Sequence, residues 1–260
     1  MSSGTFDSGP TGAFKTLCES YPDDTVYKGT DGFRSLWGPI FYRGRANGTA
    51  RLLVIGQDPA QTEAVTRRIL SGQAGRRVQG FVDKLGFAKS YLMINAFAYG
   101  IFNQDMALPH LNDPEIQAYR HKWLQAAFAP GKIEAVVTFG TPAFNAWTAF
   151  KATAAGQDVT AFHHRALHPT ADKPGGSITR KDLLDNWNVA LQSLHANIQH
   201  PDKNQPLQLY ESDFKATELP QIPSRDFPMG LPSWMRTADF WASMANPPGT
   251  ERANISIEVP

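Results

Sequence analysis

Four short apolar runs recur along the chain, separated by longer segments in which apolar residues have helical spacing. The runs are residues 52–55 (LLVI), 91–97 (YLMINAF), 133–139 (IEAVVTF) and the more polar 159–167. A wholly apolar run that is too short for a helix is typical of a strand buried on both faces of a parallel sheet. The alternation of such strands with helical segments predicts an α/β fold.

The segments between the runs carry helix signals. One apolar stripe, at positions 78, 81, 82 and 85, ends at Gly86. Asp113 followed by proline predicts the start of a helix that runs to about residue 128. Further helices are predicted from 141 to about 150, from the Thr179 cap through 194, around 64–70, and, as one short helix, between 14 and 42.

The pattern ends at about residue 200, and prolines crowd the chain beyond that point. Only residues 233–244 there have the spacing of a short helix. Residues 43–49 are read as a turn-rich lead into the first strand. We therefore expect an α/β domain over residues 1–200 and a proline-rich C-terminal extension, residues 201–260, that packs on the domain.

Composition narrows the class of protein. The chain has 260 residues, a formal net charge of +1 and one cysteine, Cys18. A single cysteine excludes an internal disulfide and a cysteine-ligated iron–sulfur cluster, and it suits a reducing, cytoplasmic compartment. No apolar stretch is long enough to cross a bilayer and no signal peptide is visible, so no membrane association is expected. The total charge does not indicate nucleic-acid binding, although a local basic patch could provide it.

Three polar residues lie where predicted strands end: Asp58, Asn95 and His168. The carboxyl ends of parallel strands share one edge of a sheet, and ligands bind beyond that edge. A carboxylate can orient water or stabilise a developing cation, and a carboxamide offers a donor and an acceptor that suit the edge of a base. An imidazole can donate to an anionic leaving group.

Each of these residues also has a structural interpretation. Asp58 could hold its own turn, Asn95 could satisfy a buried backbone group, and His168 could be a structural histidine before a proline. A metal site made by His163, His164 and His168 ranks lower. No cysteine or carboxylate joins them at close spacing, and a strand directs adjacent side chains to opposite faces.

Four motifs, in order, carry a resemblance to a known family. GQDPA, LMINAF, VVTFGTPAF and LHPT, spread over about residues 50–200, resemble the motifs of the uracil-DNA glycosylase superfamily. The resemblance implies a three-layer α/β/α fold with a central four-stranded parallel sheet. It also implies a monomeric DNA repair enzyme that flips uracil out of DNA and cleaves its N-glycosidic bond without cofactor or metal.

The resemblance assigns roles residue by residue. Asp58 matches the catalytic aspartate, which positions water and favours the oxocarbenium-like sugar. His168 matches the histidine that hydrogen-bonds the uracil oxygen as negative charge develops. Asn95 matches the asparagine that reads the uracil edge, and Gln57 matches a residue whose backbone lines the pocket.

The departures from the family pattern are equally informative. Ala60 stands where strict uracil enzymes have a tyrosine that blocks the thymine methyl, which predicts a looser pocket. The four cysteines of the cluster-bearing members are missing. Phe81 is the predicted base-stacking aromatic, with Val78 as the competing alignment and a core role for Phe81 as the alternative. The LHPT motif lacks the usual continuation, so the loop of residues 171–175 (ADKPG) is the candidate DNA wedge.

Basic residues beside the motifs are candidate phosphate contacts: Arg76, Arg77, Arg165 and Lys173. Arg67 and Arg68 are better explained as a solvated helix face. Two other classes of function stay open, a non-catalytic nucleic-acid-binding protein of the same fold and a hydrolase of small nucleosides. The second is less favoured because no G-x-S-x-G elbow, Walker loop or Rossmann fingerprint is present.

Overall fold

A five-stranded mixed sheet forms the centre of the computed structural model, which describes residues 6–21, Tyr27 and 32–229. The strands are β1 (Tyr42–Gly44), β2 (Leu52–Gly56), β3 (Tyr91–Asn95), β4 (Ala135–Phe139) and β5 (Phe162–Ala166). Their spatial order is β1-β3-β2-β4-β5. Strands β2 to β5 run parallel to one another, and β1 pairs antiparallel with β3 at one edge.

Helices connect the strands. They are α1 (Ala13–Glu19), α2 (Gln61–Thr66), α3 (Gln73–Lys84), α4 (Gln104–Ala107), α5 (Pro114–Phe128), α6 (Thr141–Lys151), α7 (Ala154–Gln157) and α8 (Arg180–His195). Short 3₁₀ turns lie at Ser35–Trp37, Leu108–Asn112, Ala216–Glu218 and Ser224–Asp226. None of the helices within the described residues is long and apolar enough to cross a membrane.

The sheet is covered on both faces because successive strand residues point to opposite sides. Leu52 and Val54 belong to the core shared with α3 and α8. Leu53 and Ile55 belong to the core shared with α1, α5 and α6. The wholly apolar run that predicts a doubly covered strand therefore corresponds to β2, where all five residues are buried.

The predicted four-stranded, all-parallel sheet is wrong in the number of strands and in the direction of one of them. Residues 42–44 form β1. This strand overlaps the start of segment 43–49, which the sequence predicts to be a turn-rich connection to the first strand. The sequence YRG gives no strand signal, because Arg43 is charged. Arg43 is nevertheless fully buried, since its guanidinium donates to Gln79 Oε1 at 2.8 Å and to Asp226 Oδ2 at 3.2 Å.

Local signals account for some helix ends and not for others. The Thr179 side chain accepts a hydrogen bond from Asp182 N and begins α8, as predicted. Asp113 precedes α5, but its side chain makes no capping bond and instead contacts His110 Nδ1 at 2.6 Å. Helix α2 begins three residues before the predicted 64–70 segment and ends at Thr66. It cannot continue to residue 70 because Arg67 and Leu70 adopt left-handed backbone angles, with φ of 56° and 51°.

Residues 201–229 follow α8 as mostly irregular chain that contacts the sheet region. Asp202 Oδ2 accepts hydrogen bonds from Lys89 N at 2.7 Å and Ser90 N at 2.8 Å. Asp226 is buried and accepts from Tyr91 Oη at 2.6 Å. The division at residue 200 stays a prediction, and the predicted helix at 233–244 lies outside the described residues.

Candidate active site

A cleft of about 300 Å³ opens at the carboxyl edge of the parallel strands. We call it the central cleft. It is lined by residues 56–58, 60–63, Leu70, 72–74, Phe139 and 168–170. Gln57, Asp58, Ala60 and His168 therefore lie around one space. Asn95, the third residue expected at this edge beside Asp58 and His168, is not in this lining and instead lines a separate, smaller cavity with Ile94 and Arg120. A larger cavity of about 660 Å³ lies between α3 and residues 203–225, and its lining contains none of the predicted site residues.

Asp58 is held in the turn after β2. Its Oδ2 accepts a hydrogen bond from Ile101 N at 2.9 Å. Burial raises the pKa of Asp58 to about 7, and the neighbouring Glu63 charge adds to the rise. The bond from Ile101, a bond with Gln57 and the charge of Arg34 oppose it. A carboxylate with a pKa near 7 can exist in either protonation state close to neutral pH.

His168 is a neutral imidazole with a defined tautomer. Its Nδ1 accepts from Thr170 N at 3.3 Å and lies 3.1 Å from Thr170 Oγ1. Because an amide N–H can only donate, the ring proton is on Nε2. Burial, aided by the positive charge of Lys173, lowers the pKa of His168 to about 4. The ring therefore offers an uncharged N–H donor at neutral pH.

Gly140, the glycine of the VVTFG segment, packs directly on this histidine. Its φ is 87°, and a β-carbon there would lie 3.2 Å from His168 Cβ. A glycine is suited to this position because the backbone conformation is left-handed and the histidine leaves little space. The third and fourth motifs are thus in contact.

Asn95 ends β3 and pairs in register with Gly56 at the end of β2. A β-carbon on Gly56 would lie 2.4 Å from Asn95 Oδ1. Asn95 Nδ2 and Oδ1 are both buried and have no hydrogen-bond partner among residues 6–21, Tyr27 and 32–229. Such groups are costly unless a ligand or water pairs with them, so Asn95 is equipped to bind a polar partner.

The other residues of the GQDPA motif form the rim and wall of the central cleft. Gln57 is half-buried, and its carbonyl accepts from Phe97 N at 3.0 Å, which fixes the turn to the end of β3. Ala60 is exposed at the mouth of the cleft and immediately precedes α2. The roles given to these residues by the family resemblance stay predictions.

Sequence reasoning missed Glu63, which is buried and joins the two sides of the cleft wall. Its Oε2 accepts from Ala60 N at 3.1 Å, and its Oε1 accepts from Ser71 N at 2.8 Å and Gly72 N at 3.1 Å. A signal was present, because a glutamate three residues after the residue preceding a helix often bonds back to it. The bonds to residues 71 and 72 have no local signal.

Leu70 is a second missed residue. It lines the central cleft and adopts a left-handed backbone conformation that is uncommon for a branched residue. A β-carbon on Gly75 would collide with the Leu70 carbonyl oxygen, at 1.6 Å. The first turn of α3 therefore fixes the position of this loop.

The prediction that Phe81 stacks on a base is not supported by its position. Phe81 is 0% exposed and packs in the core, with ring centroids 5.4 Å from Phe139 and 5.3 Å from Trp187. The competing candidate Val78 is also fully buried in that core. The apolar stripe of α3 serves the packing of the helix, and Phe139 and Leu70 are the large apolar residues of the central cleft.

Two of the four predicted phosphate contacts are used inside the protein. Arg77 is buried, donates to Pro169 O at 2.5 Å and pairs with Asp172 at 2.7 Å, so its position does not favour a contact with DNA. Arg76 is half-buried and donates to Leu219 O at 2.7 Å. Arg165 and Lys173 are exposed and stay candidates.

Arg67 and Arg68 do not form the solvated helix face expected of them. Arg67 donates to Trp37 O and Pro39 O, both at 2.7 Å. Arg68 pairs with Asp7 at 2.7 Å. Both arginines therefore tie distant segments to the loop after α2.

Histidines 163, 164 and 168 do not come together as a metal site. His163 Nε2 lies 3.1 Å from Thr138 Oγ1. Across the part of the chain that the structure describes, no three His, Cys, Asp or Glu side chains cluster in a way that could hold a metal ion.

Comparison with known proteins agrees with this geometry. The sequence model of the family described as Uracil DNA glycosylase superfamily matches residues 43–199, which is more than half of the chain. The match includes all four motifs and every residue of the central cleft. No curated protein matches the chain.

Proposed function

Since the chain belongs to the uracil-DNA glycosylase superfamily, which suggests a DNA glycosylase, we propose that it excises uracil from DNA. In the proposed reaction the bond between C1′ of the deoxyribose and N1 of uracil breaks, and its electron pair leaves with the base. A water molecule bonds to C1′ and loses a proton, and the uracil anion takes up a proton. The products are free uracil and an abasic site. The looser rim at Ala60 extends the proposed range to other damaged bases.

Asn95 is the observation that supports the proposal most directly. Its carboxamide has a buried donor and a buried acceptor, both unpaired within the described residues. Uracil offers an acceptor oxygen beside an N–H donor, which complements a carboxamide, whereas cytosine presents an acceptor nitrogen in place of that N–H. Pairing two otherwise unpaired groups gives a large preference for the matching base.

Asp58 and His168 supply opposite electrostatic effects in this proposal. The Asp58 carboxylate stabilises the positive charge that develops on the sugar and orients the attacking water. Neutral His168 donates from Nε2 to the uracil oxygen that gains negative charge. With a pKa of about 4, His168 is neutral near pH 7. The N–H of a neutral imidazole is too weak an acid to give up its proton, so the oxyanion is stabilised by a hydrogen bond.

The target base has to leave the helix to reach a cleft of about 300 Å³. A flipped pyrimidine nucleotide exposes its Watson–Crick edge for reading, which a stacked and paired base does not. In the same proposal the protein acts as a monomer inside the cell, without a metal or another cofactor. A mass in solution near 28.7 kDa and full activity in EDTA would agree with this.

The experiment that separates this function from its alternatives compares substrates. We would incubate the protein with single- and double-stranded oligonucleotides that contain one uracil, and separately with free deoxyuridine. Release of uracil from DNA but not from deoxyuridine would support a glycosylase. Release from deoxyuridine alone would favour a nucleoside hydrolase, and DNA binding without release of any damaged base would favour a non-catalytic binding protein.

A further inference from the structure

A buried arginine lies next to the end of β3, the strand that carries Asn95. Arg120, on α5, is 4% exposed and forms no ion pair with a carboxylate of the described residues. Burial lowers the pKa of Arg120 to about 10, so the guanidinium is still charged at neutral pH. The burial of a charge without a counter-ion is costly, and an apolar residue would fill such a space more favourably. Packing alone therefore does not account for an arginine at this position.

The guanidinium of Arg120 holds the backbone beside Asn95. Its Nη1 donates to Ala96 O at 3.1 Å, and its Nη2 donates to Leu111 O, in the 3₁₀ turn before α5, also at 3.1 Å. Ala96 directly follows Asn95, and its own N–H donates to Gly56 O at 2.9 Å. The residue after Asn95 is thus fixed on one side by the end of β2 and on the other by Arg120.

A small cavity also brings the side chains of Asn95 and Arg120 together. Both residues line it, and its volume of about 20 Å³ is room for a single water molecule, which needs two or more polar partners. The Asn95 carboxamide and Arg120 Nε are buried and have no hydrogen-bond partner in the part of the chain that the structure describes. Asn95 also borders the central cleft, since its Oδ1 approaches Gly56, a lining residue of that cleft.

We propose that Arg120 is a positioning residue that fixes the orientation of the Asn95 carboxamide, through the Ala96 carbonyl and one water molecule in the small cavity, and so sets the preference for uracil over cytosine. This inference rests on the proposed function. Rotation of a carboxamide by half a turn exchanges its donor and its acceptor. One orientation complements uracil and the other complements cytosine. A fixed positive charge beside the carboxamide makes the two orientations unequal in energy, because its carbonyl and amino ends carry opposite partial charges.

The test compares Arg120→Met, which removes the charge, with Arg120→Lys, which keeps it. Tyr119→Phe is the matched control, because Tyr119 is also on α5 and lines the small cavity, but its Oη donates to Leu17 O at 2.8 Å, away from Asn95. Excision of uracil from a single strand would be measured in single turnover, under conditions in which urea unfolding shows each variant to be folded. We expect Arg120→Met to slow excision at least about tenfold, Arg120→Lys to restore part of the rate, and Tyr119→Phe to stay within about twofold of wild type.

Two comparisons distinguish positioning of Asn95 from a general structural role. In an Asn95→Ala protein, adding Arg120→Met should slow excision less than about twofold, because the carboxamide through which Arg120 acts is already gone. An equal factor in both backgrounds would overturn the proposal. Excision of cytosine relative to uracil should rise at least about tenfold in Arg120→Met and not in Tyr119→Phe. No rise in Arg120→Met would overturn the assignment of base preference to Arg120.

A readout without catalysis tests the same contact. In protein with isotope-labelled asparagine, the side-chain amide resonances of Asn95 are those that disappear in Asn95→Ala. They should move in Arg120→Met and change little in Tyr119→Phe, and resonances that stay in place in Arg120→Met would overturn the proposal. If wild type released no uracil from any substrate, the proposed function would fail, and the resonances would still decide whether Arg120 positions Asn95.

Discussion

Gly56 and Asn95 face each other in register on adjacent parallel strands, so closely that a β-carbon on Gly56 would lie 2.4 Å from Asn95 Oδ1. Asn95 can adopt its present position because residue 56 is a glycine and has no side chain. Gly56 of the first motif therefore supports the position of Asn95 in the second motif, and substitutions at the two residues can test this.

The variant Gly56→Ala should lose activity while keeping its fold. The added methyl group meets the end of a side chain, which can rotate away, so the free energy of unfolding should change little. The rotated carboxamide no longer presents its donor and acceptor, and kcat/KM for uracil in DNA should fall about 5- to 100-fold. When Asn95 is already alanine, adding Gly56→Ala should lower kcat/KM little further. If Gly56→Ala lowered kcat/KM by the same factor in Asn95→Ala as in wild type, this explanation would be contradicted.

The pH dependence of excision should report Asp58. Its pKa of about 7 predicts that the single-turnover rate rises with pH and levels off above that value, since the carboxylate is the active form. His168, with a pKa of about 4, stays neutral through this range. Because the Glu63 charge helps to raise the pKa of Asp58, Glu63→Gln should move the acidic limb to lower pH. A limb that stays in place in Glu63→Gln would count against this coupling.

Asp58 should also make the protein less stable at alkaline pH. Its pKa is raised from 3.8 to about 7 in the folded state, so the folded protein binds this proton more tightly than the unfolded chain does. The resulting stability is present below about pH 4 and is lost as the pH rises to about 7. Asp58→Asn should therefore be more stable than wild type at pH 8, by about 1–3 kcal/mol after allowance for partial exposure.

Urea unfolding at two pH values would measure this difference. The gain of Asp58→Asn should be present at pH 8 and should nearly vanish at about pH 3, which lies below both the unfolded pKa of 3.8 and the folded pKa of about 7, so that the carboxyl is largely neutral in both states. Asp158→Asn, at an exposed position, is the matched control and should show no such dependence. An Asp58→Asn variant less stable than wild type at pH 8 would refute the prediction.

Ala60 should control the range of bases that enter. It is exposed at the mouth of the central cleft, where a larger side chain has room to extend over the opening. Ala60→Tyr should retain uracil excision and reduce excision of larger 5-substituted uracils, with the ratio of their kcat/KM values changing at least about tenfold. An unchanged substrate range would show that position 60 does not select the base.

Lys173 and Arg77 should differ in the salt dependence of DNA binding. Lys173 is exposed beside His168, and Lys173→Gln should lower the slope of log Kd against log salt concentration by about 0.9 if it contacts one phosphate. Arg77 is buried against Pro169 and Asp172, so Arg77→Gln should leave the slope unchanged and lower kcat through the His168 loop. Equal slopes for Lys173→Gln and wild type would remove Lys173 from the interface.

Local patterns in the sequence predicted the features that depend on local chemistry. The apolar runs predicted strands β2 to β5, and the residues that follow β2 and β5 line one cleft. Asn95 could be placed beside that edge for the same reason, because strands of a parallel sheet end together. The roles of these residues remain predictions.

Features that depend on partners distant in the chain could not be predicted. Strand β1 contains a charged residue whose burial depends on Asp226, 183 positions away. The sequence around Phe81 fits either a base-stacking aromatic or a core residue. Its packing against Trp187, which is distant in the chain, shows that it belongs to the core. Arg77 has the sequence context of a phosphate contact, yet Asp172 pairs with it.

The central claim is that Asp58, Asn95 and His168 form one site that cleaves the N-glycosidic bond of uracil in DNA. The most direct measurement is single-turnover cleavage of end-labelled DNA with one uracil, followed by alkaline scission of abasic sites. We expect cleavage by wild type and losses of about 10²- to 10⁴-fold in Asp58→Asn and His168→Ala. Wild-type rates in both variants would contradict the account, as would a wild-type protein that binds this DNA and leaves every uracil in place.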